Sequence, residues 1–334
     1  MSTSRIERKY QKKNLNAAFF PVEKVPMTFV LNGKPRNVVG YKALVDTARE
    51  RVLSTVTDKY KVVTNNEAYM LMKPIAQGFF GGRGLDDFEC FNLHIPKSRA
   101  SCRIDLTRPN PMQHSFDIRG DKWTAFIRIN NSYNRTSRLV LKIGYCRWIC
   151  LNGVIFGANS FTITIDHTDK ILSSPDYSKR IVARALEEVG DVGNAERRFA
   201  DAIVPLTEIP MTPEEMGMLF CRIYRVYLTE DSVRELSERK KERLVGIRNI
   251  ISAKLESYRS EFHDTAYAAF NVLTDYASFP YNGELHPTLT HAYQTRVGDW
   301  LAAFSRETKS SGFSMESYFS EEERKSYALF IHLR

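Results

Sequence analysis

The amino-acid sequence predicts an α+β protein, with a β-rich N-terminal half of antiparallel hairpins and a mainly helical C-terminal half. The stretch from Trp123 to Thr168 holds three runs rich in β-branched and aromatic residues, separated by Asn, Ser and Gly clusters that are typical of turns. After about residue 171 the apolar residues recur at helical spacing instead. Because strands and helices are segregated along the chain, the order favours α+β over alternating α/β.

The same change of pattern predicts three parts. Residues 1–18 are expected to be a flexible basic arm, since they combine many Lys and Arg residues with few apolar anchors. Residues 19–170 are expected to form the antiparallel β-rich domain. Residues 171–334 are expected to form a helical region packed on that domain.

Two hairpins are predicted near the start of the fold. Strands at 27–31 and 36–42 flank Asn32-Gly33, a dipeptide in which both residues tolerate positive φ and which therefore favours a two-residue turn. A second hairpin is predicted from 51–56 and 60–63. Asn65 or Asn66 is then a suitable N-cap for a helix.

The remaining elements follow from period and punctuation. Alternating apolar residues predict strands at 88–95 and 99–106. Thr212-Pro213-Glu214-Glu215 has the sequence of a capping box with proline at the first helical position. Helices are predicted at 179–199, 213–227, 233–262, 265–278, 288–304 and 321–331.

Composition narrows the class of protein. The formal net charge of +9 favours a polyanionic partner, although many soluble proteins are this basic without one. The polar, basic start is followed by no apolar segment of a signal peptide, and no apolar run reaches bilayer length, so a cytoplasmic location in a prokaryotic cell and no membrane contact are expected. The five cysteines are most simply reduced thiols.

The densest basic and aromatic pattern lies in the central strands. In an extended strand, alternate residues share a face, which groups Phe126 with Arg128 and groups Arg138 with Lys142. Pairing of the two strands would bring these four side chains onto one surface, where cations can neutralise phosphates and an aromatic ring can stack on a base. The alternative is an ordinary half-solvated sheet, whose outer face is polar in any case.

The sequence therefore predicts a nucleic-acid-binding surface with Arg side chains and Lys142 on phosphates and two aromatic stacking platforms. Its residues are Phe126, Arg128, Tyr133, Arg135, Arg138, Lys142 and Arg147. A secondary basic surface is predicted on the long helix, at Arg239, Lys240, Lys241 and Arg243. The alternative for that helix is a solvated face with local ion pairs.

Catalytic machinery is not predicted. Cys146 and Cys150 lie four residues apart without a second pair, so buried thiols are favoured over a zinc site. His167 follows Asp166 at a strand end, and a structural role is favoured over general-base chemistry. The sequence holds no nucleophile elbow and no His-Glu-x-x-His motif, and we expect no cofactor, no metal and no enzymatic activity.

Several segments resemble a family of phage and plasmid proteins that carries a domain of unknown function. These segments are VLSTVTDKYKVVTNNEAY (52–69), INNSYNRTSR (129–138), CRWICLNGVIFGA (146–158) leading to IDHT (165–168), and TAYAAFNVLTDYAS (265–278). Their order and spacing fit over residues 40–304. Where the family usually has a His-Asp-Gly-like turn, this chain has Ser132-Tyr133-Asn134 and lacks the imidazole and the carboxylate. The resemblance implies a mobile-element protein and no particular activity.

The function expected from these observations is that of a nucleic-acid-binding accessory protein of a phage or plasmid, with single-strand DNA binding or annealing as the favoured form. The alternative is a protein-interaction factor, such as a phage inhibitor of a host defence or restriction enzyme. The expected partners are accordingly DNA, with single-stranded DNA favoured, or a host protein, and a homo-oligomer is compatible with both.

Overall fold

A computed structural model describes residues 9–81, 88–156, 162–165, 191–279 and 287–334, together with positions 180, 183 and 187. Within these ranges the N-terminal half is built mainly from antiparallel strands and the C-terminal half mainly from helices. The predicted α+β class is therefore confirmed. No helix in the described ranges is long and apolar enough to cross a membrane.

Two antiparallel sheets contain the strands. The smaller sheet has the order β1–β2–β3, and the larger sheet has the order β10–β8–β7–β5–β4, with β6 paired to β7 and β9 paired to β8. The strands are β1 (Val22–Leu31), β2 (Lys34–Asp46), β3 (Arg51–Thr57), β4 (Glu89–His94), β5 (Ser101–Thr107), β6 (Phe116–Ile118), β7 (Asp121–Ser132), β8 (Leu139–Arg147), β9 (Asn152–Val154) and β10 (Thr162–Ile165).

One helix lies between the two sheets in sequence, and the described remainder follow them. They are α1 (Asn65–Phe79), α2 (Val192–Ile203), α3 (Pro213–Tyr224), α4 (Glu230–Arg234), α5 (Glu238–Phe262), α6 (Ala266–Ser278), α7 (Pro287–Glu307), α8 (Met315–Tyr318) and α9 (Glu321–His332). The helices predicted from Thr212 onward thus form with only small changes at their ends.

Local sequence explains several of these boundaries. Asn32 and Gly33 have φ of 52° and 73°, as the tight turn between β1 and β2 requires. Thr212 and Glu215 form the predicted capping box at the start of α3. At α1 the N-cap is Thr64, whose side chain accepts from the backbone N–H of Glu67, so Asn65 and Asn66 belong to the first turn instead.

A single hydrophobic core connects the two halves of the chain. Trp123 and Ile127 of β7 belong to the same buried cluster as Phe199 of α2, Phe220 of α3 and Phe270 of α6. A second cluster, which includes Leu44, Val56 and Tyr133, fixes the base of the smaller sheet to the larger one. Helices therefore cover the odd-numbered face of β7.

The structure differs from the prediction at two places near the N-terminus. The described part of the expected flexible arm lies against the larger sheet: Lys13 N–H donates to the Cys90 carbonyl over 2.7 Å, and Tyr10 hydrogen bonds to Glu89. The expected second hairpin is absent, because β3 pairs with β2 and residues 60–63 are not in a strand. Apolar contacts at Tyr60 and Val63 account for the strand-like sequence there.

Candidate nucleic-acid interface

The predicted pairing of the central strands is correct, but the face that carries Arg128 is not exposed. Arg128 lies directly opposite Lys142 in the register of β7 and β8, so the two share one face. Helix α7 packs across that face. Gly298 of α7 lies so close to the Ile155 carbonyl that even a Cβ atom would overlap it. A sheet covered on both faces offers no broad surface to a polyanion.

Phe126 is buried completely, in a small apolar cluster with Cys146 and Ile155. Its ring fills the space over Gly144, where a Cβ would overlap the ring atoms. The prediction that Phe126 is a stacking platform is therefore wrong for this conformation, because no base can reach the ring. Apolar packing under α7 explains the position of this aromatic residue.

Arg128 is also buried, and its guanidinium is occupied within the protein. Its Nε and Nη2 donate to the two carboxylate oxygens of Asp105 over 2.7 Å each, and Nη1 donates to Gln294 of α7. Such a bidentate pair satisfies the guanidinium and joins sheet to helix. The predicted contact of Arg128 with phosphate is therefore not compatible with this arrangement.

Lys142 occupies the edge of the same layer and is half-buried. Its Nζ lies 3.5 Å from Thr295 Oγ1 on α7. Burial lowers the pKa of Lys142, while nearby Asp299 raises it and Arg128 lowers it further. Lys142 therefore belongs to the contact between the sheet and α7 rather than to an open basic surface.

Arg147 lies at the other end of β8 and is likewise buried. Its Nη2 donates to Asp121 over 2.7 Å and to Glu261 over 2.8 Å, and its guanidinium lies over the Phe262 ring. Burial opposes the charged form, but Cys150, Asp121 and Tyr267 together raise the pKa of Arg147 above its ordinary value. The predicted phosphate contact is again wrong, because Arg147 instead links the sheet to α5.

The turn between β7 and β8 separates into buried and exposed residues. Tyr133 is fully buried, and its hydroxyl accepts from the Asn65 N–H over 3.0 Å, so it is no stacking platform. Burial raises the pKa of this phenol. Arg135 and Arg138 are exposed. Of the seven residues predicted on the central strands, these two alone remain open to a polyanion.

The distal part of β1 and β2 is the described strand pair with the most open surface. Every residue from Thr28 to Asn37 is exposed, so this part is a two-stranded ribbon with neither face covered. We call residues 28–37 the ribbon. From Lys24 to Val45 the chain contains four cations, Lys24, Lys34, Arg36 and Lys42, and no acidic residue.

One face of the ribbon combines aromatic, apolar and cationic groups. Phe29 lies opposite Arg36, and Leu31 lies opposite Lys34, so all four side chains share a face. Phe29 and Leu31 are 46% and 54% exposed. Neither Lys34 nor Arg36 is in an ion pair with any described residue. These cations are therefore available to an external anion.

The base of the ribbon lies next to the exposed part of the β7–β8 turn. The Ser54 hydroxyl on β3 donates to the Tyr133 carbonyl, and Tyr60 is close enough to Arg135 for the guanidinium to lower the pKa of the phenol while burial raises it to about 12. Arg135 thus extends the basic surface from the ribbon toward the body of the protein.

On helix α5 the predicted secondary surface is smaller than its charge count implies. Arg239, Lys240 and Arg243 are exposed, whereas Lys241 pairs with Glu238 over 2.8 Å. Further along, Lys254 pairs with Asp275, and Arg248 donates to backbone carbonyls near the C-terminal end. Much of the helix charge therefore stabilises the fold.

The predicted thiols are confirmed: Cys146 and Cys150 are free and buried, and burial raises the pKa of Cys146 well above its usual range. Within the described ranges, no group of three or more His, Cys, Asp and Glu side chains could hold a metal ion. His167, the candidate general base, lies outside the described residues.

Two features were missed by the sequence analysis. The ribbon carried a usable signal: the strands flanking Asn32-Gly33 have apolar residues in both alternation phases and no acidic residue, which is unusual for a hairpin against a core. The second feature is Arg103, a buried arginine on β5 discussed below. Its sequence, CRIDL, reads as an ordinary half-exposed strand and gave no warning.

Comparison with known proteins places the chain in one family. A model described as "Domain of unknown function (DUF932)" matches residues 52–279, which is more than half of the chain. No curated protein and no solved structure matches it with significance. The matched range contains three of the resembling segments in full and most of the fourth, and excludes much of the ribbon. The chain belongs to the DUF932 family.

Proposed function

We propose that the protein is a nucleic-acid-binding accessory protein that binds single-stranded DNA through the ribbon. The observation that carries the proposal is the ribbon face on which Phe29, Leu31, Lys34 and Arg36 are exposed together without a described acidic partner. Cations in such a pattern neutralise phosphates, and an exposed ring offers a surface on which a base stacks. A two-stranded ribbon is also narrow enough to enter the major groove of a duplex.

Single-stranded DNA is favoured over duplex because the ribbon presents large apolar groups beside its cations. Duplex binding without sequence preference needs cations along a backbone and gains little from an exposed aromatic ring. A single strand exposes the faces of its bases, and each stacked base contributes about 1–3 kcal/mol. Annealing of two strands is the form of this activity that needs no cofactor.

A phage or plasmid origin and a cytoplasmic location in a prokaryotic cell are parts of the same proposal. They are supported by the resemblance of segments 52–69, 129–138, 146–158 and 265–278 to proteins of mobile elements. Exposed Arg135 and Arg138 extend the proposed DNA surface at the base of the ribbon.

Fluorescence anisotropy with labelled single-stranded and duplex oligonucleotides, over a series of salt concentrations, tests the proposal. For K34Q/R36Q we expect the slope of log K against log salt to decrease by about 1.4, because each phosphate contact on a single strand contributes about 0.7. For F29A we expect binding to weaken by about 1–3 kcal/mol with the slope unchanged.

The matched comparison is R239Q/K240Q, which removes the same charge from the exposed face of α5. All ribbon variants should keep the melting temperature of the parent protein, since exposed side chains contribute little to stability. Salt-independent binding, or equal losses for the ribbon and helix variants, would contradict a ribbon interface.

The second candidate is a protein-interaction factor, and one observation favours it. Val30 and Val39 are 73% and 90% exposed, and exposed apolar residues of this size often mark a protein interface. In this case a partner should be recovered from host lysate after nuclease treatment, and K34Q/R36Q should bind it as well as the parent protein does. A V30S/V39S variant should lose it.

A further inference from the structure

Arg103 is a buried cation whose hydrogen bonds are incomplete. Its side chain lies on β5, opposite His94 on one side and Asn130 on the other, and the residue is 5% exposed. Its Nε and Nη1 are buried and have no hydrogen-bond partner. A guanidinium without partners in such a place is strongly unfavourable, and native structures avoid it unless an ion or a water completes it.

The surroundings of Arg103 carry excess positive charge. Arg128 and Lys142 lie on the same face of the larger sheet. The buried carboxylate of this layer, Asp105, is already bound by both nitrogens of Arg128 and by the Asn92 amide over 3.1 Å. Asp299 lies beside Lys142 at the exposed edge. The acidic groups among the described residues therefore leave the Arg103 charge uncompensated.

Helix α7 adds further positive potential to the same place. The helix begins at Pro287, one turn before His291, and His291 Nδ1 lies 3.3 Å from the Asn130 amide nitrogen. Since Asn130 is the register partner of Arg103, the first turn of α7 and Arg103 lie at the same end of the layer. The unpaired N–H groups of a first helical turn attract anions. Burial, with Arg128, Lys142 and Arg103, keeps His291 neutral by lowering its pKa to about 3.

We propose that this layer is a binding site for a small oxyanion, a phosphate or carboxylate group, held by Arg103 between β5 and the start of α7. The fork of Arg103 would donate to two oxygens of the anion, and the Asn130 amide and the first turn of α7 lie close by. Half-buried Asn92 and His94 on β4, the outermost strand of the described sheet, mark the side from which a small anion enters.

Thermal unfolding with phosphate tests the site. Wild-type protein, R103Q and R306Q are compared in sodium phosphate, sodium acetate and sodium chloride at equal ionic strength. R306Q removes the same charge from an exposed position at the end of α7, so it reports the general effect of each salt. Isothermal titration calorimetry with inorganic phosphate supplies an independent measure of binding.

We expect phosphate, acetate or both to raise the melting temperature of wild type and R306Q by a few degrees over chloride, in proportion to the logarithm of anion concentration. The arm with the larger shift identifies the preferred oxyanion. R103Q should lose that shift. In chloride R103Q should melt no lower than wild type, because the substitution removes an uncompensated buried charge.

Three results would overturn the site: equal shifts in all three proteins, a lower melting temperature of R103Q in chloride, or no heat of phosphate binding to wild type. If R103Q does not fold, R103K replaces it. Because lysine keeps the charge and loses the planar fork, it should weaken the anion-dependent shift without abolishing it. Oligonucleotide binding by the ribbon is measured in the same buffers and should be unchanged in R103Q.

Discussion

At the scale of single residues, burial separates arginines that look alike in sequence. Arg128 and Arg147 are each bound by a carboxylate on a neighbouring strand, whereas Arg36 and Arg135 are exposed. The residues around all four alternate in the same way. Their partners, Asp105 and Asp121, come from other segments, so the difference arises only when the strands pair. A buried ion pair and an open phosphate contact therefore have the same local sequence.

His291 gives these buried charges a measurable effect on stability. Its pKa is about 3 in the folded protein, against about 6.5 in an unfolded chain. Between these values the unfolded state binds a proton that the folded state does not, so the free energy of unfolding falls as the pH falls from 6.5 toward 3. This one group contributes a slope of up to about 1.4 kcal/mol per pH unit.

We therefore expect H291Q to lose less stability than wild type when urea denaturation is measured at pH 7.5, 6 and 5. The groups facing His291 are Arg103, Arg128 and Lys142, with Asp105 and Asp299 in the same layer, and their contribution is common to both proteins. H332Q, at an exposed position, is the control. Parallel curves for wild type and H291Q would show that His291 is not held neutral.

At the scale of elements, α7 determines what the larger sheet presents to its surroundings. The helix covers the face that holds Phe126 and Arg128, and it does so at very short range. Gly298 of α7 lies against the Ile155 carbonyl, and Gln294 bonds both Arg128 and Ser278. In contrast, the ribbon has no covering element on either face. The two features together place the open basic surface on the smaller sheet.

Two helical glycines provide a matched test of this contact. At Gly298 an added Cβ would overlap the Ile155 backbone, so G298A should lower the free energy of unfolding by about 1–3 kcal/mol or more. At Gly246 of α5 nothing lies within 4 Å of the added atom, so G246A should raise the free energy of unfolding by up to about 1 kcal/mol. Chemical denaturation measures both. Equal effects would mean that α7 does not approach the sheet this closely.

At the scale of the whole molecule, the two halves share one core. Buried residues of β5, β7 and β8 form a continuous cluster with those of α2, α3 and α6. The Tyr267 hydroxyl also bonds Asp121, and the Asn152 amide donates to Tyr258 over 2.9 Å, so buried polar contacts join the halves as well. Stability is therefore a property of the complete chain.

A fragment of residues 19–170 should consequently not fold alone. It retains the strands but loses the helices that bury Trp123 on one face of β7 and Phe126 on the other. We expect no cooperative thermal transition and no dispersed amide signals in its NMR spectrum, while the full chain unfolds in one transition. A cooperatively folded fragment would instead make the strand-rich half an independent domain.

The sequence by itself determined the class of fold, the Asn32-Gly33 turn, most helix boundaries and the pairing of β7 with β8. These features depend on neighbouring residues: turn chemistry, capping and the two periodicities act within a few positions. Only the tertiary structure decided that α7 covers the second sheet face, that Arg128 and Arg147 are used internally, and that the ribbon is open. Solvent exposure depends on contacts between segments far apart in the chain, and local pattern does not specify those contacts.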